Sequence, residues 1–84
     1  MAEPNPEELV LLGIKSYEKQ DFSKARKYFE KACDLNIGRG CGALGGLYYN
    51  GDGVKQDSKK ATALFEKACK LGYQLACEML KELR

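Results

Sequence analysis

The sequence predicts an all-α repeat protein of about five antiparallel helices, with a disulfide bond at two of the corners between helices. Three observations lead to this prediction. The chain matches itself at an offset of 36 residues, apolar residues recur at helical spacing, and four cysteines form two pairs with one interval. No segment shows a competing strand pattern. We therefore expect helix pairs that repeat along the chain.

The repeat is clearest between residues 24–41 and residues 60–77, which read KARKYFEKACDLNIGRGC and KATALFEKACKLGYQLAC. Leu12 and Gly13 recur only 32 residues later, because four additional residues lie near NGDGV, at residues 50–54. Glycine adopts positive φ without steric cost, so this insertion is expected to be a turn.

The five helices are predicted at residues 6–18, 22–35, 39–50, 58–71 and 74–83. In the second of them, Ala25, Phe29 and Ala32 recur at spacings of three and four residues, which places them on one face. The lysines and glutamates of this segment fall on the opposite face. The third helix contains GCGALGGLYY, and its small residues are expected to let neighbouring helices approach closely.

Residues at the predicted helix ends support these limits. Asn5 precedes Pro6 at the start of the first helix, and Asp21 and Asp57 are expected to be N-caps of the second and fourth helices. Gly72 is expected to end the fourth helix.

Length and charge restrict the class of protein. The chain has 84 residues, which fits one domain, and 14 basic residues against 12 acidic ones give a net charge of +2 spread along the chain. We therefore expect neither a nucleic-acid partner nor a membrane span, and the first residues lack the pattern of a signal peptide. A monomer, or a weak homodimer formed through the ends of the repeat array, is expected.

Several of these residues carry a resemblance to known repeat families. The spacing of Leu12, Gly13, Ala25, Phe29 and Ala32 resembles a tetratricopeptide repeat, and LGGLYYNGDGVKQDSKKATALFEKAC resembles the longer Sel-one-like repeat. With its cysteine spacing, the chain resembles the Helicobacter cysteine-rich proteins. KACKLGYQLACEMLKELR resembles their terminal capping segment.

The resemblance implies a right-handed α/α superhelix in one domain, residues 1–84. Its parts would be a tetratricopeptide-like unit at residues 1–36, a Sel-one-like unit at residues 37–72 and a C-terminal capping helix at residues 73–84. Family members usually carry more repeats, so we expect a shortened or consensus-designed form. The resemblance and the paired cysteines imply a secreted or periplasmic location, although the sequence itself identifies no compartment.

The four cysteines allow a metal site, redox chemistry or disulfide bonds. Zinc sites generally use closely spaced ligand pairs, whereas this chain has two C-x7-C pairs and no histidine, and a C-x-x-C redox motif is absent. We expect no metal and no cofactor. Of three possible disulfide connectivities, Cys33 with Cys41 and Cys69 with Cys77 requires only local geometry, and the repeated interval supports it.

Catalysis is a second hypothesis, implied by the resemblance, because that family is associated with penicillin binding and weak β-lactam hydrolysis. SYEK, residues 16–19, fits the S-x-x-K motif of serine β-lactamases, but the S-D-N and K-T-G elements are absent. The simpler interpretation is that Ser16 is a packing position and Lys19 a solvated cation. We find no catalytic constellation and favour a non-enzymatic scaffold.

A peptide or protein ligand of unknown identity is the expected partner, because stacked helix pairs commonly bind extended peptides on their concave side. By position, the resemblance places the following groove candidates on the first, third and fifth helices: Val10, Ile14, Tyr17, Glu18, Arg39, Tyr49, Asn50, Glu78 and Glu82. The alternative is that Tyr17 and Tyr49 complete the core between helices.

Overall fold

The computed structural model describes residues 5–83, which form five helices joined by short connections. The helices are α1 Pro6–Glu18, α2 Phe22–Asp34, α3 Gly38–Asn50, α4 Ser58–Lys70 and α5 Gln74–Leu83. Residues 5–83 contain no β-strand. The all-α prediction is confirmed, and the predicted limits of α2, α3 and α4 differ from the observed ones by a single residue at one end.

The helices are antiparallel neighbours arranged in two layers. The end of α1 meets the start of α2, where the rings of Tyr17 and Phe22 lie 5.2 Å apart. The start of α3 meets the end of α4, where a Cβ on Gly38 would lie 3.3 Å from Leu71. Helices α1 and α3 pack side by side in one layer, and α5 continues that layer. Helices α2 and α4 form the other layer.

Three helices begin at side-chain caps, and two of these, Asp21 and Asp57, are predicted from the sequence. The side chain of Asn5 accepts a hydrogen bond of 3.0 Å from the backbone N–H of Glu8 at the start of α1. Asp21 caps α2 and Asp57 caps α4 in the same way. A cap satisfies a backbone donor that has no partner inside the helix, and it contributes about 1 kcal/mol.

The first four helices end at residues with positive φ. Gln20, Asn36, Gly51 and Gly72 have φ values of 64°, 63°, 75° and 97°. Each lets the next backbone N–H bond a carbonyl of the last helical turn, as Tyr73 does to Ala68 at 3.0 Å. The predicted end of α4 at Gly72 is therefore confirmed. Asn36 ends α2 in the same way, one repeat earlier.

Phenylalanines placed against glycines set the distance between paired helices. An added Cβ on Gly13 would lie 2.4 Å from the ring of Phe29, and one on Gly45 would lie 2.9 Å from Phe65. Both rings are buried, with 3% and 4% of their surface exposed. The glycine-rich third helix thus allows the close approach that its composition predicts.

Both predicted disulfide bonds are present. Cys33 bonds to Cys41 at the corner between α2 and α3, and Cys69 bonds to Cys77 at the corner between α4 and α5. The two members of each pair are separated by 4.5 Å and 4.8 Å between Cα atoms. The pairing fixes the angle at which each even-numbered helix passes into the next odd-numbered one.

Candidate functional site

The exposed sides of the odd-numbered helices form one continuous surface with two cavities, which we call the α1–α3–α5 face. A cavity of about 210 Å³ lies between α1 and α3. A second cavity of about 490 Å³ lies between α3 and α5. Ala43 and Gly46 line both of them, so the two cavities lie next to each other on α3.

Gly46 keeps the floor of this surface open. An added Cβ at Gly46 would meet no atom within 4 Å, whereas one at its neighbour Gly45 would press on a ring. The absence of a side chain here is therefore not required by packing within the described part of the chain. It leaves space above α3 for a ligand.

Helix α5 supplies the wall of the larger cavity. Leu75, Glu78, Met79 and Glu82 line it, and Leu75 has 59% of its surface exposed. The wall therefore offers apolar surface at one end and carboxylates along its length. Methionine, which lies beside this leucine as Met79, is enriched at protein–protein interfaces.

A hydrogen bond closes the other end of the surface. The Tyr17 hydroxyl at the end of α1 donates to a carboxylate oxygen of Asp52, which follows α3, at 2.8 Å. This bond raises the pKa of Tyr17 above its usual value, and desolvation and the Asp52 charge add to the effect. Tyr17 also lines the smaller cavity together with Asn50.

Another depression, of about 770 Å³, lies on the outer side of α2. Its lining is mostly charged and mixes lysines with carboxylates, including Lys24, Lys27, Lys31, Glu30 and Asp34. Its described lining holds one aromatic residue, Tyr28, among charged and polar ones, whereas apolar and small residues make up most of the lining of the cavity between α3 and α5. We therefore place the candidate site on the α1–α3–α5 face.

The predicted groove residues fall into separate groups. Tyr17 and Asn50 share the smaller cavity, and Glu78 and Glu82 share the larger one. Ile14 and Glu18 are exposed on α1.

Arg39 and Tyr49 are exposed but engaged with other side chains. Arg39 pairs with Glu7 at 3.4 Å. The ring of Tyr49 lies 6.5 Å from that of Phe65, while 37% of its surface stays exposed.

Val10 was expected in the groove, but the structure places it in the core. Only 1% of its surface is exposed, and it belongs to a core cluster with Leu9 and Ala32. The side of α1 that carries Val10 packs inside the domain, so this residue is not available to a ligand.

Sequence reasoning missed Ala43, Gly46, Leu75 and Met79. The repeat itself contained the signal, because an offset of 32 residues places Ile14 at the position of Gly46. An offset of 36 residues then places Ala43 at the position of Met79. Residues that are equivalent in successive repeats share one surface of a stacked array. Glycine and alanine in a helix indicate close packing first, so the sequence alone does not identify Ala43 and Gly46 as the floor of a site.

The fold sorts charges that are spread along the sequence. Helices α2 and α4 carry eight lysine and arginine residues against three carboxylates. Helices α1, α3 and α5 carry five carboxylates against three lysine and arginine residues within the described part of the chain. The candidate face therefore belongs to the more acidic layer.

The serine of SYEK lies in a packing position. Ser16 has 8% of its surface exposed, and its hydroxyl donates to the Leu12 carbonyl at 2.9 Å. Lys19 is the C-cap of α1 and is exposed. The Ser16 hydroxyl is therefore directed along its own helix and not toward either cavity of the α1–α3–α5 face.

Residues 5–83 hold no group of three or more histidine, cysteine or acidic side chains arranged for a metal ion. None of the five helices is long and apolar enough to cross a membrane.

Comparison with known proteins places the fold in a family context. A sequence model of the Sel1 repeat matches residues 10–37 and 39–73. The match covers both helix pairs and the disulfide corner between α2 and α3.

Similar proteins occur in Helicobacter pylori. The chain is 64% identical over 55 residues to the putative beta-lactamase HcpC of strain J99, covering 66% of this chain and 19% of that protein. It is 57% identical over 54 residues to the beta-lactamase HcpA of the same strain, covering 64% of this chain and 22% of that protein. The chain thus spans about a fifth of the length of these relatives.

Proposed function

Because the chain belongs to the Sel1 repeat family, we propose that it is a non-enzymatic helical repeat scaffold whose α1–α3–α5 face binds an extended segment of another polypeptide. The observation that carries this proposal is the open position at Gly46, a residue that lines both cavities. An extended peptide would lie across α3 and direct alternate side chains into the cavities.

Exposed apolar side chains support the same use of the surface. Ile14, Tyr17 and Tyr49 each have 36% to 39% of their surface exposed, and Leu75 has 59%. Leaving such side chains in water is unfavourable by about 25 cal/mol per Å² of apolar area. A ligand that covers them would recover part of this free energy.

We also propose that the protein works outside the cytoplasm. The two disulfide bonds use all four cysteines, and such bonds persist in oxidising compartments. Expression of the chain in an oxidising and in a reducing compartment, followed by thiol labelling, tests this. Unlabelled folded protein from the oxidising compartment alone is expected, whereas equal folding without disulfides would contradict the proposal.

Peptide selection followed by mapping of the bound surface tests the scaffold proposal. Peptides selected on the oxidised protein are expected to shift the amide NMR signals of Ala43, Gly46, Asn50 and Met79. If selected peptides shift only signals of α2 and α4, the assigned face is wrong. Failure to select any peptide would contradict polypeptide binding itself.

Binding or hydrolysis of β-lactams is a second candidate, favoured by the names of the relatives HcpA and HcpC. Incubation with a fluorescent penicillin followed by intact mass measurement distinguishes the two functions. We expect no covalent adduct, since the Ser16 hydroxyl bonds its own helix. An adduct that is lost in Ser16→Ala would establish the second candidate and overturn the first.

A further inference from the structure

We propose that the segment bound on the α1–α3–α5 face carries a lysine or arginine side chain next to an apolar side chain, an inference that rests on the function proposed above. The larger cavity offers apolar surface for the apolar side chain and negative charge for the basic one. Apolar and small residues of α3 and α5 line it, and two carboxylates stand on its α5 wall.

The two carboxylates belong to Glu78 and Glu82, which are one helical turn apart and exposed. Within residues 5–83 neither of them forms an ion pair or a hydrogen bond. Like charges at this spacing repel each other. A cation placed between them would remove that repulsion and gain an attraction from each.

No cation of the described cavity lining competes for these carboxylates. The cavity lining contains no lysine or arginine. Arg39 is the only basic residue on α3, and its guanidinium pairs with Glu7 at the other end of the helix. Lys81, three residues after Glu78 on α5, is exposed, lies outside the cavity lining and forms no ion pair with either carboxylate within residues 5–83. Most of the other lysine and arginine residues of the helices are on α2 and α4, in the other layer.

The apolar part of the cavity suits the stem of a basic side chain. Ala43 and Gly46 leave a flat floor, with Met79 and Leu75 beside it. Lysine and arginine place their methylene groups along apolar surface and keep the charged group in water. The stem would cross the floor at Gly46 and the charged end would reach the α5 wall. A neighbouring apolar side chain would cover Leu75.

Three peptide libraries that differ at one fixed position test this inference. Each has randomised apolar residues around a fixed lysine, glutamine or glutamate. We expect the lysine library to be retained at least tenfold more than the glutamate library on the oxidised protein. The preference is expected to fall as salt rises, since exposed charge pairs are screened. Equal retention of the three libraries, or a preference for glutamate, would overturn the inference.

A charge-matched pair of variants locates the preference. Glu78→Gln/Glu82→Gln is expected to weaken binding of the best lysine peptide by about threefold to tenfold, the range for two exposed charge pairs. Glu8→Gln/Asp34→Asn removes the same net charge outside the cavity lining and is expected to change binding less than twofold. An equal loss in both variants would mean that net charge, and not this wall, selects the ligand.

The same experiment separates this inference from the function on which it rests. If all three libraries are retained equally and Gly46→Leu abolishes that retention, the scaffold function is supported and the cation preference is wrong. Retention that survives Gly46→Leu contradicts both.

Discussion

The ammonium group of Lys67 in α4 donates a hydrogen bond of 3.3 Å to the backbone carbonyl of Cys33 near the end of α2. This bond joins the even-numbered helices of successive repeats. The C-terminal end of a helix carries partial negative charge, so a cation there is favourable. The disulfide at Cys33 and the lysine at position 67 therefore act on the same helix end.

Lys67→Met is expected to lower the free energy of unfolding by about 0.5 to 1 kcal/mol, the range for one partly exposed hydrogen bond to a charged group. The matched control is Lys31→Met, at the equivalent position of the first repeat. The Lys31 ammonium makes no hydrogen bond within residues 5–83. Urea unfolding of both oxidised variants measures the difference, and equal losses would contradict this role of Lys67.

Adjacent glycines of α3 are expected to respond oppositely to alanine. Gly45→Ala should destabilise the protein by about 1 to 3 kcal/mol, because its Cβ would press on the Phe65 ring at 2.9 Å. Gly46→Ala should stabilise it by about 0.5 to 1 kcal/mol, because its Cβ meets no neighbour and alanine favours the helix. Urea unfolding measures both. Similar losses at the two positions would show that Gly46 is also a packing position.

The contrast between these two glycines marks the limit of sequence reasoning here. Helix limits, the caps at Asp21 and Asp57 and the disulfide pairing follow from local spacing, so the sequence predicts them. Whether a glycine lies under a ring or under solvent depends on the rotation of α3 between its neighbours. Glycine composition alone does not encode that rotation.

The prediction that Val10 lies in the groove is wrong for the same physical reason, since it depends on the rotation of α1 about its axis. Its neighbour Leu11 has 52% of its surface exposed, whereas Val10 has 1%. Adjacent residues on a helix point about 100° apart, so a small error in the assumed rotation exchanges core and surface. The periodicity of α1 is weak because most of its residues between Leu9 and Ile14 are apolar. The pairing of Arg39 with Glu7 likewise depends on tertiary structure.

The two disulfide bonds are expected to be reduced in a fixed order. Cys69 and Cys77 are both partly exposed, whereas Cys33 and Cys41 have 4% and 0% of their surface exposed. A reducing thiolate must reach a sulfur atom to attack it, so the bond between Cys69 and Cys77 should open first.

Limited reduction, alkylation and peptide mapping measure this order. The variant Cys33→Ala/Cys41→Ala is the control, since its remaining bond should react at least as fast as in the parent protein. Earlier alkylation of Cys33 and Cys41 would contradict the expectation.

Tyr17 is expected to titrate at higher pH than an ordinary tyrosine, because ionisation would break its bond to Asp52 and place two negative charges together. The folded protein favours the neutral hydroxyl, so this stabilisation is complete below the usual tyrosine pKa of about 10 and is lost as pH rises through the raised value.

The absorbance of tyrosinate, followed during alkaline titration, checks this prediction. The highest-pH component should disappear in Tyr17→Phe and should move toward the ordinary value in Asp52→Asn. An unchanged titration in both variants would show that the bond does not affect ionisation in solution.

The affinity of a selected peptide for Gly46→Leu, compared with that for Ala63→Leu, tests the central claim most directly. Leucine at position 46 would fill space that borders both cavities, while Ala63 is exposed on α4 outside both of them. Isothermal titration calorimetry on the oxidised proteins is expected to show at least a tenfold loss of affinity for Gly46→Leu and less than a twofold change for Ala63→Leu. Undiminished binding to Gly46→Leu would contradict the claim that the α1–α3–α5 face is the binding surface.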